Sequence, residues 1–246
     1  PLILSQHERP NPTGVTSTVI RNKLLKLLPP GELESLLAAS KLVTVRTREI
    51  IFSRGATVPY VHFPEDCVIS LVTQMADGDA VEAMTIGNDG FSAISVLNGV
   101  DSMNCLGCGQ VSGKAWRIDR HDFRLLLGSS PALTRVLQRY GQLVFETVSQ
   151  SAACNRLHVV EQRCARWLLM SHDRVGRPTF DLTQEFLAEM LGVRRAGVTV
   201  AVGVLKRQGL ISSGRGSITI ADRTGLERAS CECYQVIKNR EAAILA

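Results

Sequence analysis

Between Arg194 and Ala221 the chain carries five cationic side chains, Arg194, Arg195, Lys206, Arg207 and Arg215, and not one carboxylate. Guanidinium groups donate in pairs to guanine O6 and N7, and lysine or arginine neutralises phosphate, so a window of this kind is equipped to meet a polyanion. The formal net charge of +5 over the whole chain permits that contact without demanding it. Two other sets of residues have reactive chemistry. Cys105 and Cys108 form a C-x-x-C pair and Cys231 and Cys233 a C-x-C pair, either of which can serve as a dithiol switch or as half of a metal site. No second C-x-x-C follows, and joining the two pairs would need tertiary proximity, so the seven cysteines are expected to be reduced and structural, as in a cytoplasmic protein. His62 and His121 are isolated and are expected to be ordinary surface or core residues, so neither metal nor cofactor is anticipated. The chain contains no G-x-S-x-G elbow, H-E-x-x-H pair, phosphate-binding Walker loop or dinucleotide glycine fingerprint, which speaks against an enzyme.

The elements that must present the basic window are marked locally. Gln184 to Gly203 fits a helix-turn-helix. Leu187, Met190 and Leu191 make the inner face of a first helix, Ala188 is small where a second helix must approach, and Gly192 suits the left-handed turn between them. Thr183 caps the first helix and Glu185 sits at the positive end of its dipole. With Val198, Ala201, Val202 and Leu205 turned inward, Arg195, Ala196, Thr199 and Val200 face outward near the start of the second helix, as base-reading residues do. Arg194, Lys206 and Arg207 suit phosphates. The competing reading is an ordinary helical hairpin with a solvated basic face. Leu210-Ile211-Ser212 and Ser217-Ile218-Thr219-Ile220 flank Ser213-Gly214-Arg215-Gly216, which reads as strand, turn, strand: a wing whose Arg215 either reaches DNA or is simply solvated. A final helix is expected from Asp222 to Tyr234.

Upstream the pattern changes twice. Residues up to Thr18 read as a loose leader, and Val19 to Ala39 as two short helices broken at Pro29-Pro30-Gly31. From Lys41 to Ile118 short Val-, Ile- and Phe-rich runs alternate with turns such as Ala76-Asp77-Gly78-Asp79, which favours a β-sandwich or jelly roll. After a short segment at His121 to Leu127, Pro131 opens one long helix with no internal proline. Leu133, Val136, Tyr140, Leu143 and Thr147 recur on it at three- and four-residue steps and suggest a dimer seam, the alternative being that this stripe covers the β-domain. The fold class is therefore α+β, organised as a β jelly-roll sensor-type domain at 19–130, a dimerisation helix at 131–157 and a winged helix-turn-helix domain at 158–234. No apolar run is long enough for a membrane span.

Leu182 to Arg195 followed by a wing, behind a long helix and a β-domain, resembles the Crp/Fnr family of bacterial regulators. The resemblance implies a homodimer binding double-stranded promoter DNA at a near-palindrome, with RNA polymerase as a further partner. It also implies that Arg195 touches a base, although Ala196 and Val200 replace the glutamate and second arginine usual on that helix, so the operator sequence does not carry over. Cyclic-nucleotide binders of the family have Gly-Glu and, about ten residues later, Arg-Ser or Arg-Thr to grip ribose and phosphate. Here Phe91 follows Gly90, and Val100 to Asn104 has no cation but holds Asp101, whose charge would repel a phosphate. Compensation would have to come from Lys114 or Arg117 on a neighbouring strand. The cysteine cluster of the family's iron-sulfur sensors does not precede the β-domain either. The expectation is an effector other than a cyclic nucleotide. The alternatives are nucleotide or thiol-redox control, or a ligand- or protein-binding module that has lost its DNA.

Overall fold

A computed structural model describes residues 19–246; the leader reading falls outside them. Two short helices, α1 (Lys23–Lys26) and α2 (Pro30–Ala38), precede seven strands: β1 (Ser40–Val45), β2 (Ile50–Phe52), β3 (Tyr60–Pro64), β4 (Val68–Gln74), β5 (Ala80–Ile86), β6 (Leu106–Val111) and β7 (Gly113–Asp119), with one helical turn, α3 (Ile94–Leu97), between β5 and β6. The expected break at the prolines is present, and Pro30 occupies the first turn of α2, where a missing N–H costs nothing. The strands form two antiparallel sheets, ordered β1-β7-β3 and β2-β6-β4-β5. Their inner faces share one core, to which β3 gives Val61 and Phe63, β7 gives Ile118, and β2, β4 and β5 give Phe52, Ile69, Leu71, Met84 and Ile86. Asn22 fastens the N-terminal helices to this sandwich. Its Oδ1 accepts from the Leu24 and Leu25 N–H groups as a helix cap, while its Nδ2 donates to the carbonyls of Pro64 and Gly90.

Helix α4 (Arg120–Ser129) is capped by Asp119 and leads into α5 (Pro131–Leu157), the 27-residue helix expected from Pro131 onward. Here one sequence expectation is corrected. Leu133, Val136, Tyr140, Leu143 and Thr147 are only 2 to 7% exposed, and the first four lie in the core of the subunit's own β-sandwich. The stripe covers the β-domain, because burying such side chains at about 1.5 to 3 kcal/mol each is satisfied within one subunit. The face of α5 that remains outward holds Gln138, Gln142, Phe145, Val148, Ser149 and Ala152, with Phe145 69% exposed.

The C-terminal half comprises α6 (Val160–Val175), β8 (Thr179–Asp181), α7 (Gln184–Leu191), α8 (Arg195–Arg207), β9 (Ile211–Gly214), β10 (Ser217–Ile220), α9 (Arg223–Ala229) and α10 (Cys233–Leu245). The single terminal helix expected over Asp222 to Tyr234 is in fact two. Helix α9 stops at Ser230, whose backbone is extended, and α10 runs on past Tyr234. It lies back along α5, where Arg240 pairs with Glu146 and Arg139 donates to the Ala246 carbonyl. Neither glycine nor proline marks the break, so local signals pass over it.

The two halves share a polar seam. Arg174 of α6 makes a buried, forked pair with Asp89, at 3.0 Å from Nε to both carboxylate oxygens and 2.8 Å from Nη2 to Oδ2, and also donates to Thr85 Oγ1. Gly87 lies so close under the Arg174 side chain that a Cβ there would overlap it. Trp167 Nε1 donates to Glu82 Oε1 at 3.0 Å, and Gln110 Nε2 donates to Ser171 at 3.1 Å.

Candidate nucleic-acid interface

Each device read from the sequence for the helix-turn-helix is present in three dimensions. Thr183 Oγ1 accepts from the Phe186 N–H at 3.1 Å, closing the first turn of α7. At the other end Gly192 adopts φ 61°, and the Val193 N–H returns to the Ala188 carbonyl at 3.0 Å, so the chain turns sharply into α8. A Cβ on Gly192 would also stand 2.8 Å from Val81 of β5, so both backbone conformation and close approach require glycine there. Ala188 is buried at the crossing, and Val198, Ala201, Val202 and Leu205 are at most 1% exposed. With that face committed, α8 turns Arg194, Arg195, Ala196, Thr199 and Val200 outward, and Lys206 and Arg207 stand exposed in its last turn. Val200 is 59% exposed, an apolar group in water beside charged neighbours, as a methyl-contacting side chain before binding would be.

The wing is a tight hairpin. Gly214 pairs with Ser217, leaving Arg215 and Gly216 as its two-residue tip, with Gly216 at φ 75°. The turn is thus two residues shorter than the Ser213-Gly214-Arg215-Gly216 reading. Strand β8, which the sequence did not reveal, adds a third strand beside β10 and holds the wing against the start of α7 through the Leu182 N–H to Gly216 carbonyl bond at 2.8 Å. Arg215 is exposed at the tip. The structure therefore brings Thr183, the outward face of α8 and the wing tip onto one domain surface. It also adds Gln184, which sequence reasoning missed: Thr199 Oγ1 donates to its Oε1 at 2.9 Å, tying the first residue of α7 to the middle of the recognition face. Its position directly after the capping threonine was the available signal.

The C-x-x-C and C-x-C pairs do not come together. Cys105 and Cys108 lie on or beside β6, in separate packing environments within the β-domain and its border, far from the C-x-C pair in packing terms. Burial pushes the Cys108 thiol up to about 11, so it is not a ready nucleophile. Cys231 and Cys233 instead meet Cys154 and His158 at the end of α5. His62 is a buried core histidine whose backbone N–H donates to Ser92 Oγ at 2.9 Å, and His121 is exposed in the first turn of α4.

A two-sheet β-domain, a long connecting helix and a winged helix-turn-helix together make the architecture of a DNA-binding transcription regulator. Residues 162–229 match the Crp-like helix-turn-helix domain, and the fold of the chain is that of Crp/Fnr regulators. Structures that share it include FixK2 from Bradyrhizobium japonicum, at 15% identity with a TM-score of 0.64 over 78% of this chain and 98% of that one. Others are a candidate transcriptional regulator of the Crp/Fnr family from Eubacterium rectale, at 16% identity and 0.63 over 84% and 96%, and the c-di-GMP responsive regulator CLP of Xanthomonas campestris, at 16% and 0.61 over 78% and 99%. No curated protein matches the sequence. Among the described residues no helix is long and apolar enough to cross a membrane.

Proposed function

We propose that this protein is a sequence-specific regulator that binds a near-palindromic promoter site as a homodimer, with Arg195, Ala196, Thr199 and Val200 reading base edges and Arg194, Lys206, Arg207 and Arg215 engaging phosphates. The observation that carries the reading is the commitment of the opposite face of α8 to the core, which leaves this acid-free set outward beside the wing. For the dimer, the support is the outward face of α5. Phe145 and Val148 lie exposed at heptad-like spacing with Gln138, Gln142 and Ala152, and Phe145 borders a groove lined by Val236 and Ile237 into which a second copy's aromatic ring fits by size.

The same proposal excludes cyclic nucleotides as effectors. Phe91 is fully buried and stacks on Phe63 at 5.7 Å between ring centroids, with Phe123 and Tyr140 around it, so apolar rings stand where ribose hydroxyls would need acceptors. Lys114 Nζ donates to Thr44 at the surface and Arg117 lies over the Tyr60 ring, so neither compensates. Asp101 does not act as the isolated charge expected from the sequence, because Arg120 and Arg124 each pair with it at 2.7 Å. That engagement ties both guanidiniums to one carboxylate, whose single charge offsets one of the two.

Electrophoretic shifts on the DNA upstream of its own gene test the function. Binding should weaken steeply with salt as counterions are released. Arg195→Ala should cost about 1 to 3 kcal/mol and relax preference at one base pair, while Arg207→Ala weakens all sequences alike. Salt-indifferent binding, or none on any fragment, would refute the proposal.

A further inference from the structure

Cys154 lies in the last turn of α5 and His158 is the residue that follows the helix, its N–H donating to the Cys154 carbonyl, while Cys231 lies in the link between α9 and α10 and Cys233 opens α10. Separated by more than seventy residues of chain, these four bring one ligand atom each to within 4.8 Å of all the others. The three cysteines are at most 2% exposed and form a core cluster of their own, with no aliphatic or aromatic side chain among its buried members. Cys67, Cys108 and Cys164 are buried singly among apolar side chains, as small hydrophobes are, whereas here three thiols and an imidazole face one another, and that composition points to a ligand.

We infer that Cys154, His158, Cys231 and Cys233 form a closed four-ligand site for Zn2+ that staples the end of the long helix to the far side of the DNA-binding domain. The spacing fits. Zinc-sulfur bonds of about 2.3 Å and a zinc-nitrogen bond of about 2.0 Å at tetrahedral angles place ligand atoms about 3.5 to 3.8 Å apart. Cys154 Sγ lies 3.5 Å from Cys231 Sγ, and Cys233 Sγ lies 3.6 Å from His158 Nδ1. The Cys154–Cys231 separation is too long for a disulfide, whose sulfurs bond at about 2.05 Å.

The surroundings are those of a metal ligand set. His158 Nε2 lies 3.1 Å from Glu232 Oε2, which holds the ring proton on Nε2 and turns the Nδ1 lone pair toward the thiols. Gln150 Nε2 donates to Cys233 Sγ at 3.0 Å, as amides do to thiolate sulfur. Three thiolates and a neutral imidazole around Zn2+ carry one net negative charge. Two arginines, Arg163 and Arg166, are 7% exposed beside the cluster, and each keeps a buried Nε without a hydrogen-bond partner. Among the described residues no carboxylate pairs with either of them, and a negatively charged centre supplies the counter-charge that such buried cations require. Binding needs no oxidant: each Cys exchanges its S–H proton for a bond to zinc, and three protons leave to solvent. Three sulfurs with one nitrogen select a borderline-soft tetrahedral ion, and four protein ligands leave no open position for catalysis.

The site spans a junction that matters. His158 ends α5 and the next helix begins the DNA-binding domain, while Cys231 and Cys233 join its last two helices. Zinc thereby fixes how α8 is carried on the long helix.

The full chain, produced with zinc present and purified with a reductant and no chelator, should hold one zinc per chain by elemental analysis. Replacement by Co2+ should give the intense visible bands of a tetrahedral ion and thiolate charge transfer in the near ultraviolet. Cys231→Ser and Cys233→Ser should abolish both signatures, and the Cys105→Ser, Cys108→Ser double variant should keep them. Because ligand variants can misfold, Glu232→Gln provides the second test: its exposed carboxylate only orients His158, so the variant should fold and bind zinc about 10- to 100-fold more weakly. A protein that retains no zinc, an octahedral cobalt spectrum, a Cys154–Cys231 disulfide in its place, or unchanged affinity in Glu232→Gln would overturn the assignment.

Discussion

Replacing Arg174 by methionine removes the cation of the seam between the β-domain and the DNA-binding half while keeping most of its apolar volume. The variant leaves Asp89, 13% exposed at its side chain, with only the Gly87 N–H in place of three guanidinium hydrogen bonds. At about 3 Å and an effective dielectric constant near 20 the lost attraction is about 5 kcal/mol, and breaking one member of a buried pair costs about 3 to 5 kcal/mol in practice. For a chain of this size that corresponds to a fall in melting temperature of about 10 °C. Burial alone would raise the Asp89 pKa, but the Arg174 charge outweighs it and holds the carboxyl below its ordinary value. The pair therefore stabilises the fold above the ordinary aspartate range, and that contribution disappears as acid protonates Asp89. Asp89→Asn with Arg174→Met should recover much of the loss, since an uncharged seam leaves no orphaned ion. Urea denaturation of wild type, both single variants and the double variant gives the coupling energy directly. Single variants each costing under about 1 kcal/mol and adding without coupling would refute the reasoning.

Phe145→Asp should yield a monomer by light scattering at micromolar concentration and lose DNA affinity, whereas Leu143→Asp should unfold the β-domain, because only the former lies on the outward face of α5; a dimeric Phe145→Asp would show that the subunits meet elsewhere. Burial, with a smaller push from Arg117, lowers His62 to about 4 from 6.5, so stability is complete above pH 6.5 and should fall by about 3 kcal/mol as pH drops toward 4. His62→Gln should flatten that part of the pH-stability curve, and an unchanged slope would contradict the assignment. Calorimetric titration with cyclic AMP and cyclic GMP should give no heat at micromolar ligand, the opposite result restoring nucleotide control.

Much of the candidate DNA interface was legible in the sequence because its determinants are local. A capping threonine, a left-handed glycine, a small residue at a helix crossing and apolar spacing of three and four all act within one or two turns of chain, and the structure reproduces Thr183, Gly192, Ala188 and the Val198 to Leu205 face without change. The succession of β-domain, long helix and winged domain was legible for the same reason. Periodicity on α5 identified which side chains seek burial, but not which surface would bury them, and the β-sandwich claimed Leu133, Val136, Tyr140 and Leu143 before a second subunit could. Strand β8 and the α9–α10 break lay equally out of reach, since each depends on contacts with distant chain. The gathering of Cys154 and His158 with Cys231 and Cys233 is the extreme case: a C-x-x-x-H and a C-x-C carry little information apart, and only packing of α10 against α5 makes them one cluster. Short-range stereochemistry determined the elements and the DNA-reading face, while long-range burial decided what each apolar stripe covers and which thiols meet, because it depends on which surfaces compete for the same side chains.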